Sequence, residues 1–206
     1  TNNIIIKGTI DNELSSNFIY ELSKIENKKN LLVYLNTPGG SIHDGMQIVA
    51  QIKKYKLSCV AENAYSMGFV IFQACKNRYI MSHSILMQHQ LSYGVRNEKY
   101  KIDSYVSFVN SLEDQLVHIQ SKRLGLTPDD FKLKTMNEWW IYGENILLEK
   151  SGDRLVELEC SVTLTKQNYT KQVGQYEYTY SKCPLIDHHI FKNKTKNYEE
   201  RFIFTF

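Results

Sequence analysis

The sequence contains few of the residues that mark unusual protein classes. Its 206 residues include 3 prolines, 10 glycines and 4 cysteines, too few for a collagen-like chain or a dense disulfide scaffold. Charges nearly balance, with 25 Lys and Arg against 22 Asp and Glu, so no concentrated basic surface indicates nucleic acid. No apolar run approaches the roughly 18 residues of a membrane span, and residues 1–6 lack the basic start of a signal peptide. We therefore expect a globular, cytoplasmic protein without a membrane partner.

The four cysteines are spread along the chain without a Cys-x-x-Cys pair. Cys59 and Cys75 lie in apolar stretches, whereas Cys160 and Cys183 lie farther along. Cysteine in an apolar stretch is usually a small buried hydrophobic residue, and a zinc site needs ligands at short fixed spacing. We therefore expect no metal and no other cofactor, and reduced thiols as in cytosolic proteins.

Strand-like and helix-like segments alternate along the first 160 residues. Short apolar runs predict buried strands, and apolar residues at three- and four-residue spacing predict helices between them. This alternation is typical of an α/β fold with a largely parallel sheet. The predicted strands are 4–10, 31–35, 57–61, 78–81 and 85–89, and the predicted helices are 13–26, 44–55, 66–75 and 102–123.

The character of the sequence changes after this region. Residues 155–164 and 176–180 alternate polar and apolar side chains as exposed strands do, and 192–206 is charged and aromatic. A basic and aromatic tail could contact nucleic acid, but a solvated tail is the simpler interpretation and no nucleic-acid partner is predicted. We therefore divide the chain into a first domain, 1–160, and a β-rich extension of unknown role, 161–206.

Two predicted strand-to-helix junctions carry residues suited to acyl transfer. Residues 37–41 (Thr-Pro-Gly-Gly-Ser) present bare backbone N–H groups, as an oxyanion hole requires. Residues 64–68 (Ala-Tyr-Ser-Met-Gly) place Ser66 at the next helix start. Alone, the first is an ordinary turn and Ser66 an ordinary N-cap. His89 lies 23 residues after Ser66, at the carboxyl end of a predicted strand, and completes a serine–histidine pair.

Residues 36–41 (Asn-Thr-Pro-Gly-Gly-Ser), 64–68 and 87–90 (Met-Gln-His-Gln), in this order and spacing, resemble the ClpP family of serine peptidases. The resemblance extends from about residue 4 to about residue 160. It implies a ClpP/crotonase-like fold of repeated ββα units, in which the predicted helix 102–123 is the long handle helix.

The resemblance also implies a set of site residues. Ser66 would be the nucleophile and His89 the general base, while the backbone N–H groups of Gly40 and Met67 would bind the oxyanion. A substrate peptide would lie as an extended strand between the glycine turn and a strand at 91–95. The residues expected to bind it are Gly39, Ser41, Ile42, Leu91, Ser92 and Tyr93.

The third triad position departs from the family pattern, which has an aspartate there. Asn137, 48 residues after His89, occupies the matching stretch. An amide oxygen can hold the histidine tautomer, as asparagine does in papain-like enzymes, but it cannot stabilise the imidazolium as a carboxylate would. Acidic residues that could replace it are Glu138, Asp130 and Asp153.

The sequence therefore predicts a ClpP-like serine endopeptidase that acts on peptides or unfolded proteins in a homo-oligomeric ring, heptameric or stacked in the family. An ATP-driven unfoldase partner is not supported, because the chain starts almost at its first core strand. Asn137 favours one alternative, a catalytically weak or inactive ring subunit or scaffold. The Ser66–His89 pair disfavours two others, an acyl-CoA enzyme of crotonase architecture and a serine–lysine peptidase.

Overall fold

The computed structural model describes residues 3–186 and 188–194 of the chain. The remaining positions are residues 1, 2, 187 and 195–206. The interpretation of the charged and aromatic tail therefore falls largely outside the described residues. The chain forms two compact units, 1–157 and 158–206, and the division into domains at residue 160 remains our proposal.

The first unit alternates strands with helices around one sheet. Its strand order is β1-β2-β3-β4-β5; β1 to β4 run parallel, β5 pairs antiparallel with β4, and β6 pairs parallel with β4. The α/β class and the long helix predicted from the sequence are confirmed. The elements are β1 (Asn3–Lys7), α1 (Asn12–Lys24), β2 (Leu32–Thr37), α2 (Ile42–Tyr55), β3 (Ser58–Tyr65), α3 (Met67–Ala74), β4 (Arg78–Gln88), α4 (Lys99–Leu124), α5 (Pro128–Thr135), β5 (Trp139–Tyr142), α6 (Asn145–Leu148) and β6 (Arg154–Leu155).

Local chemistry fixes several helix ends. The side chains of Asp11, Ser41 and Thr127 each accept a backbone N–H from the first turn of α1, α2 and α5, as N-cap residues do. Helix α4 ends at Gly125, whose φ of 71° lies in the left-handed region that glycine adopts without steric cost. Capping therefore sets where the helices begin beside the sheet.

Helix α3 lies at the centre of the first unit. Its residues Phe69, Ile71 and Phe72 are fully buried, and every position from Met67 to Gln73 is buried, as expected for a core helix. Because burial holds α3 in place, it also fixes the position of the Ser66–Met67 junction. Across the described residues, no helix combines the length and hydropathy that crossing a membrane requires.

Three predicted strand assignments need correction. The predicted strands 78–81 and 85–89 form one continuous strand, β4, because the Ser84 hydroxyl bridges the interruption: it accepts from Met81 N at 2.7 Å and donates to the Ala61 carbonyl at 2.5 Å. The segment 91–95 has no regular secondary structure. Of the predicted strand 155–164, only Leu155 lies in a strand, since β6 is two residues long.

The second unit is small and rich in β-structure. The short helix α7 (Val162–Thr165) precedes β7 (Asn168–Val173), β8 (Tyr176–Ser181) and β9 (Phe191–Lys194). Strand β8 pairs antiparallel with both of the others. Tyr169 and Tyr180 stack across the β7–β8 pair with ring centroids 5.3 Å apart, which adds a cross-strand contact to the hydrogen-bonded ladder.

The cysteines form two disulfides, Cys59–Cys75 and Cys160–Cys183, so the prediction of reduced thiols is wrong for this structure. The Cα atoms of Cys59 and Cys75 lie 5.8 Å apart, within the usual disulfide range. They meet because the chain after α3 returns beside β3: Lys76 N donates to the Leu57 carbonyl at 2.8 Å. Sequence spacing does not reveal this return.

A charged network ties β4 to α3, α4 and the segment before β6. The Arg78 side chain is 5% exposed and binds Asp153 at 2.6 Å, while Arg123 approaches the same carboxylate at 3.4 Å. Burial raises the pKa of Asp153, but hydrogen bonds from Arg78 and the charges of Arg78 and Arg123 outweigh it, so the pKa lies below its ordinary value of 3.8. The carboxylate therefore stabilises the fold fully above that ordinary value, and this stabilisation is lost as pH falls below it.

Asp153→Asn should destabilise the first unit, because it leaves the buried Arg78 guanidinium without its charged partner. We expect the melting temperature at pH 7 to fall by at least about 5 °C, measured by calorimetry. The variant should also lose part of the wild-type decline in stability below pH 4. Asp103→Asn, at an exposed position of α4, is the matched control. Equal melting temperatures for the two variants would contradict the network's role.

Candidate active site

The two strand-to-helix junctions lie side by side because β2 and β3 are neighbouring parallel strands. A Cβ atom on Gly39 would lie 2.7 Å from the Tyr65 carbonyl oxygen and 2.8 Å from Ser66 Cβ. Gly39 also has a φ of 95°, which L-residues rarely adopt. Only glycine at this position lets the turn after β2 approach the backbone of Ser66.

The turn after β2 is also held from its other side. Ile10 N donates to the Gly39 carbonyl and Ser41 N donates to the Ile10 carbonyl, both at 2.8 Å. Backbone groups alternate in direction along an extended chain, so the N–H of Gly40 points away from Ile10. Within the described part of the chain, neither this N–H nor that of Met67 donates a hydrogen bond. Two backbone donors without an acceptor therefore belong to residues that line one cavity with Ser66.

Ser66 is not an ordinary N-cap residue. Its side chain makes no capping hydrogen bond to α3, and its backbone has φ 53° and ψ −116°, a conformation that costs energy for a side chain larger than hydrogen. The hydroxyl instead lies 2.9 Å from His89 Nε2. Met67, the next residue, is the first of α3, where backbone N–H groups lack helical acceptors.

His89 directly follows β4, and both of its ring nitrogens are engaged. Nδ1 lies 2.5 Å from the Gln90 carbonyl oxygen. A carbonyl oxygen can only accept, so Nδ1 carries the proton and Nε2 of the neutral ring is an acceptor. The hydroxyl of Ser66 then donates to Nε2, which is the arrangement that proton removal from serine requires.

Asn137 lies in the turn after α5, with an exposed side chain. In the described residues, its side chain makes no hydrogen bond to His89, so the structure does not bring the predicted third member to the pair. Asp130 accepts from the Thr127 hydroxyl at 2.7 Å and Asp153 binds Arg78. These two acidic alternatives are thus engaged elsewhere, and Asn137 stays a prediction.

Glu138 is the acidic alternative that lies beside His89. Both residues line a cavity of about 360 Å³, together with residues 90–93 and Met136. Glu138 has a φ of 63°, and its carboxylate accepts from Trp140 Nε1 at 3.0 Å. Trp140 in turn packs edge-on against Tyr65, with ring centroids 5.2 Å apart, so this cluster supports the chain just before Ser66.

A cavity of about 490 Å³ opens in front of Ser66 and His89. Of the residues predicted to bind substrate, Ile42, Leu91 and Ser92 line it, and Tyr93 lines the smaller cavity described above. Ser41 instead caps α2. The apolar wall of this cavity has no distinct signal in the sequence, because its residues could equally be core positions. That wall consists of Met67, Val70, Leu116, Val117 and Phe131.

The chain is similar to known proteins over most of its length. A family profile described as Clp protease matches residues 1–147. The chain is also similar to the ATP-dependent Clp protease proteolytic subunit 2 of Pseudomonas aeruginosa, with 20% identity over 171 residues, which is 80% of this chain and 85% of that protein.

The contact at Gly39 predicts a difference between two alanine substitutions. Gly8 has a φ of 90° like that of Gly39, but no atom lies within 4 Å of a Cβ built there. Gly8→Ala should therefore pay only the backbone cost and lower the melting temperature by about 2–8 °C. Gly39→Ala adds a collision with the Tyr65 and Ser66 backbone and should lower it at least twice as far. Equal shifts in thermal unfolding would show that the close approach is unimportant.

Proposed function

Because the chain belongs to the Clp protease family, we propose that it is a serine endopeptidase in which Ser66 is the nucleophile and His89 the general base. The observation that carries this proposal is the 2.9 Å contact between Ser66 Oγ and His89 Nε2. The two free N–H groups beside Ser66 support it, since a serine–histidine pair needs oxyanion donors to hydrolyse a peptide bond.

In the proposed reaction, Ser66 Oγ attacks the peptide carbonyl carbon while its proton moves to His89 Nε2. The carbonyl oxygen gains negative charge beside the N–H groups of Gly40 and Met67, which stabilise it by hydrogen bonding. His89 then donates the proton to the departing amine, leaving an ester on Ser66. Water, deprotonated by His89, hydrolyses this ester and restores the hydroxyl.

The proposed substrate is a peptide or unfolded protein bound in extended form. Backbone groups of residues 39–42 and 91–93 would hold its main chain, and the apolar wall of the larger cavity would receive one of its side chains. The Pseudomonas relative is named as a subunit of an ATP-dependent protease, and this likeness favours the ATP-driven partner that the sequence alone does not support.

An oligomeric ring built through α4 is part of the proposal. Tyr93, Tyr105 and Phe108 are 45%, 42% and 61% exposed, and their rings form a chain of contacts 6.2 and 6.3 Å apart. Clustered exposed aromatic residues are typical of protein–protein interfaces. A neighbouring copy of the chain that covered this cluster would bury it.

The two disulfides argue against the cytoplasmic location predicted from the sequence. Cytosolic thiols are normally reduced, whereas this chain holds two disulfides. Mass spectrometry after thiol alkylation, with and without reductant, distinguishes the two states. If all four cysteines are alkylated without reductant, the result favours the cytoplasm. If no cysteine is alkylated without reductant, the result favours an oxidising compartment.

One alternative function has an observation in its favour. The exposed side chain of Asn137, which makes no hydrogen bond to His89 in the described structure, favours a weak or inactive ring subunit. This alternative and the proposed peptidase share the fold and the assembly. They differ in whether Ser66 forms an ester with a substrate or inhibitor.

Ser66→Ala should abolish both hydrolysis of fluorogenic peptides and labelling by a fluorophosphonate probe, with little change in melting temperature. The physical reason is that the hydroxyl is the reacting group but makes no cap to α3. Ser23→Ala, at an exposed serine of α1, is the control and should retain both signals. Hydrolysis that persists in purified Ser66→Ala protein would refute the assignment of the nucleophile.

Phe108→Glu should dissociate or weaken the proposed ring, because it places a charge where a neighbouring copy would bury an aromatic ring. The measurement is mass by light scattering at micromolar concentration. Ser107→Glu adds the same charge one position along α4, about 100° around the helix, and should leave the assembly intact. A monomeric wild-type protein would remove the basis for a ring.

A further inference from the structure

We propose that the buried amide pair of Gln88 and Gln120 positions His89, so that the main-chain carbonyl of Gln90 performs the orienting role of a triad acid. The inference rests on the proposed function, because it concerns what holds the proposed general base. Gln88 and Gln120 are positioning residues, since they act through His89 and its neighbour.

A chain of three hydrogen bonds joins α4 to the backbone of His89. Gln120 Nε2 donates to the Leu116 carbonyl at 3.0 Å. Gln88 Nε2 donates to Gln120 Oε1 at 2.5 Å, and His89 N donates to Gln88 Oε1 at 3.1 Å. In each glutamine the NH₂ group donates to a group nearer α4, and the oxygen accepts from a group nearer His89. One orientation of each amide therefore satisfies all three bonds.

Burial makes this chain of bonds costly to break. Gln88 is 5% and Gln120 is 3% exposed, and an amide left unpaired at such a position destabilises the fold, because it has given up its hydrogen bonds to water. Burial therefore stabilises the hydrogen bonds of both side chains against breaking. The last acceptor, Gln88 Oε1, fixes where the backbone leaves β4 and enters the residue that carries the base.

The residue on the other side of the histidine is anchored as well. Gln90 N donates to the Thr135 carbonyl at 3.2 Å at the end of α5. The Thr135 hydroxyl itself donates to the Phe131 carbonyl at 3.0 Å. With both neighbours of His89 held, the Gln90 carbonyl remains 2.5 Å from Nδ1 and keeps the proton on that nitrogen.

A carbonyl oxygen can select the tautomer and the ring orientation, but it carries only a partial charge. It therefore stabilises the imidazolium less than a carboxylate would. The arrangement accounts for a serine–histidine pair that is aligned although Asn137 makes no hydrogen bond to it. Catalysis should be slower than with a full triad, but it should depend on Gln88 and Gln120.

Three variants test the proposal: Gln88→Met, Gln120→Met and the double variant. Methionine resembles glutamine in length, so the cavity stays filled. Each single variant should lower the melting temperature, because one polar atom of the remaining buried amide loses its partner: Gln120 Oε1 in Gln88→Met and Gln88 Nε2 in Gln120→Met. The double variant removes both amides and should recover most of that loss. Gln73→Met is the matched control, since Gln73 is a buried amide in the Arg78 network, where it donates to the Ser151 carbonyl at 3.0 Å.

The decisive readout is kinetic, with a short fluorogenic peptide. We expect kcat to fall about 10- to 100-fold in Gln88→Met and in the double variant, with KM changed less than threefold, and no such fall in Gln73→Met. The double variant separates positioning from stability, because its melting temperature recovers while its kcat does not. Recovery of kcat together with stability would overturn the proposal, as would a change confined to KM, which would indicate substrate contact.

Two further measurements separate this proposal from its rivals. Nitrogen NMR of the His89 ring should show the proton on Nδ1 in the wild type and a mixture of tautomers in the double variant, whether or not the protein hydrolyses peptides. A failed proposed function would appear as unchanged hydrolysis in Ser66→Ala. If Asn137→Ala lowers kcat more than Gln88→Met does, and Asn137→Asp raises it several-fold, Asn137 is the orienting residue and the proposal is wrong.

Discussion

The close approach of the Gly39 turn to Ser66 is the constraint on which the rest of the site depends. Because Gly39 has no side chain to stand between them, Gly40, Ser66 and Met67 can line the same cavity. The turn is fixed by Ile10, and α3 is fixed by burial on all sides. Two elements held by backbone hydrogen bonds and by burial thus position both backbone N–H groups without a flexible side chain, as the proposed stabilisation of the oxyanion requires.

Strand order supplies the remaining partner. Strand β4 neighbours β3, and Ser66 N donates to the Met87 carbonyl at 2.9 Å, so the residues after Met87 emerge beside the serine. His89 reaches Ser66 because it lies two residues beyond that bond. The parallel order β2-β3-β4 therefore brings the glycine turn, the serine and the histidine together, at the edge of the sheet where sites form in open α/β proteins.

The sequence predicts that Ser66 and His89 meet beside the glycine turn, as they do in the structure, because each of the three has a local signal. The sequence alone shows glycines at a strand end, a serine before an apolar helix and a histidine after an apolar strand. The unseen features depend on contacts distant in sequence. The Cys59–Cys75 disulfide requires the return of the chain after α3, and the bond between Gln88 and Gln120 spans 32 residues. The positive φ of Ser66 also has no signal in the residue type.

Asn137 remains a prediction, because its matching position lies in a turn. The spacing from His89 fits the family pattern, but spacing does not fix the direction of a side chain that follows a helix end. The segment after β4 is anchored by Gln88 and Thr135, whereas residues 91–95 have no regular structure. The Gln90 carbonyl lies where the anchored segment ends and the irregular segment 91–95 begins. If Gln88 and Gln120 position His89 as proposed, its alignment depends on the anchors before that boundary, where His89 N and Gln90 N each donate a hydrogen bond.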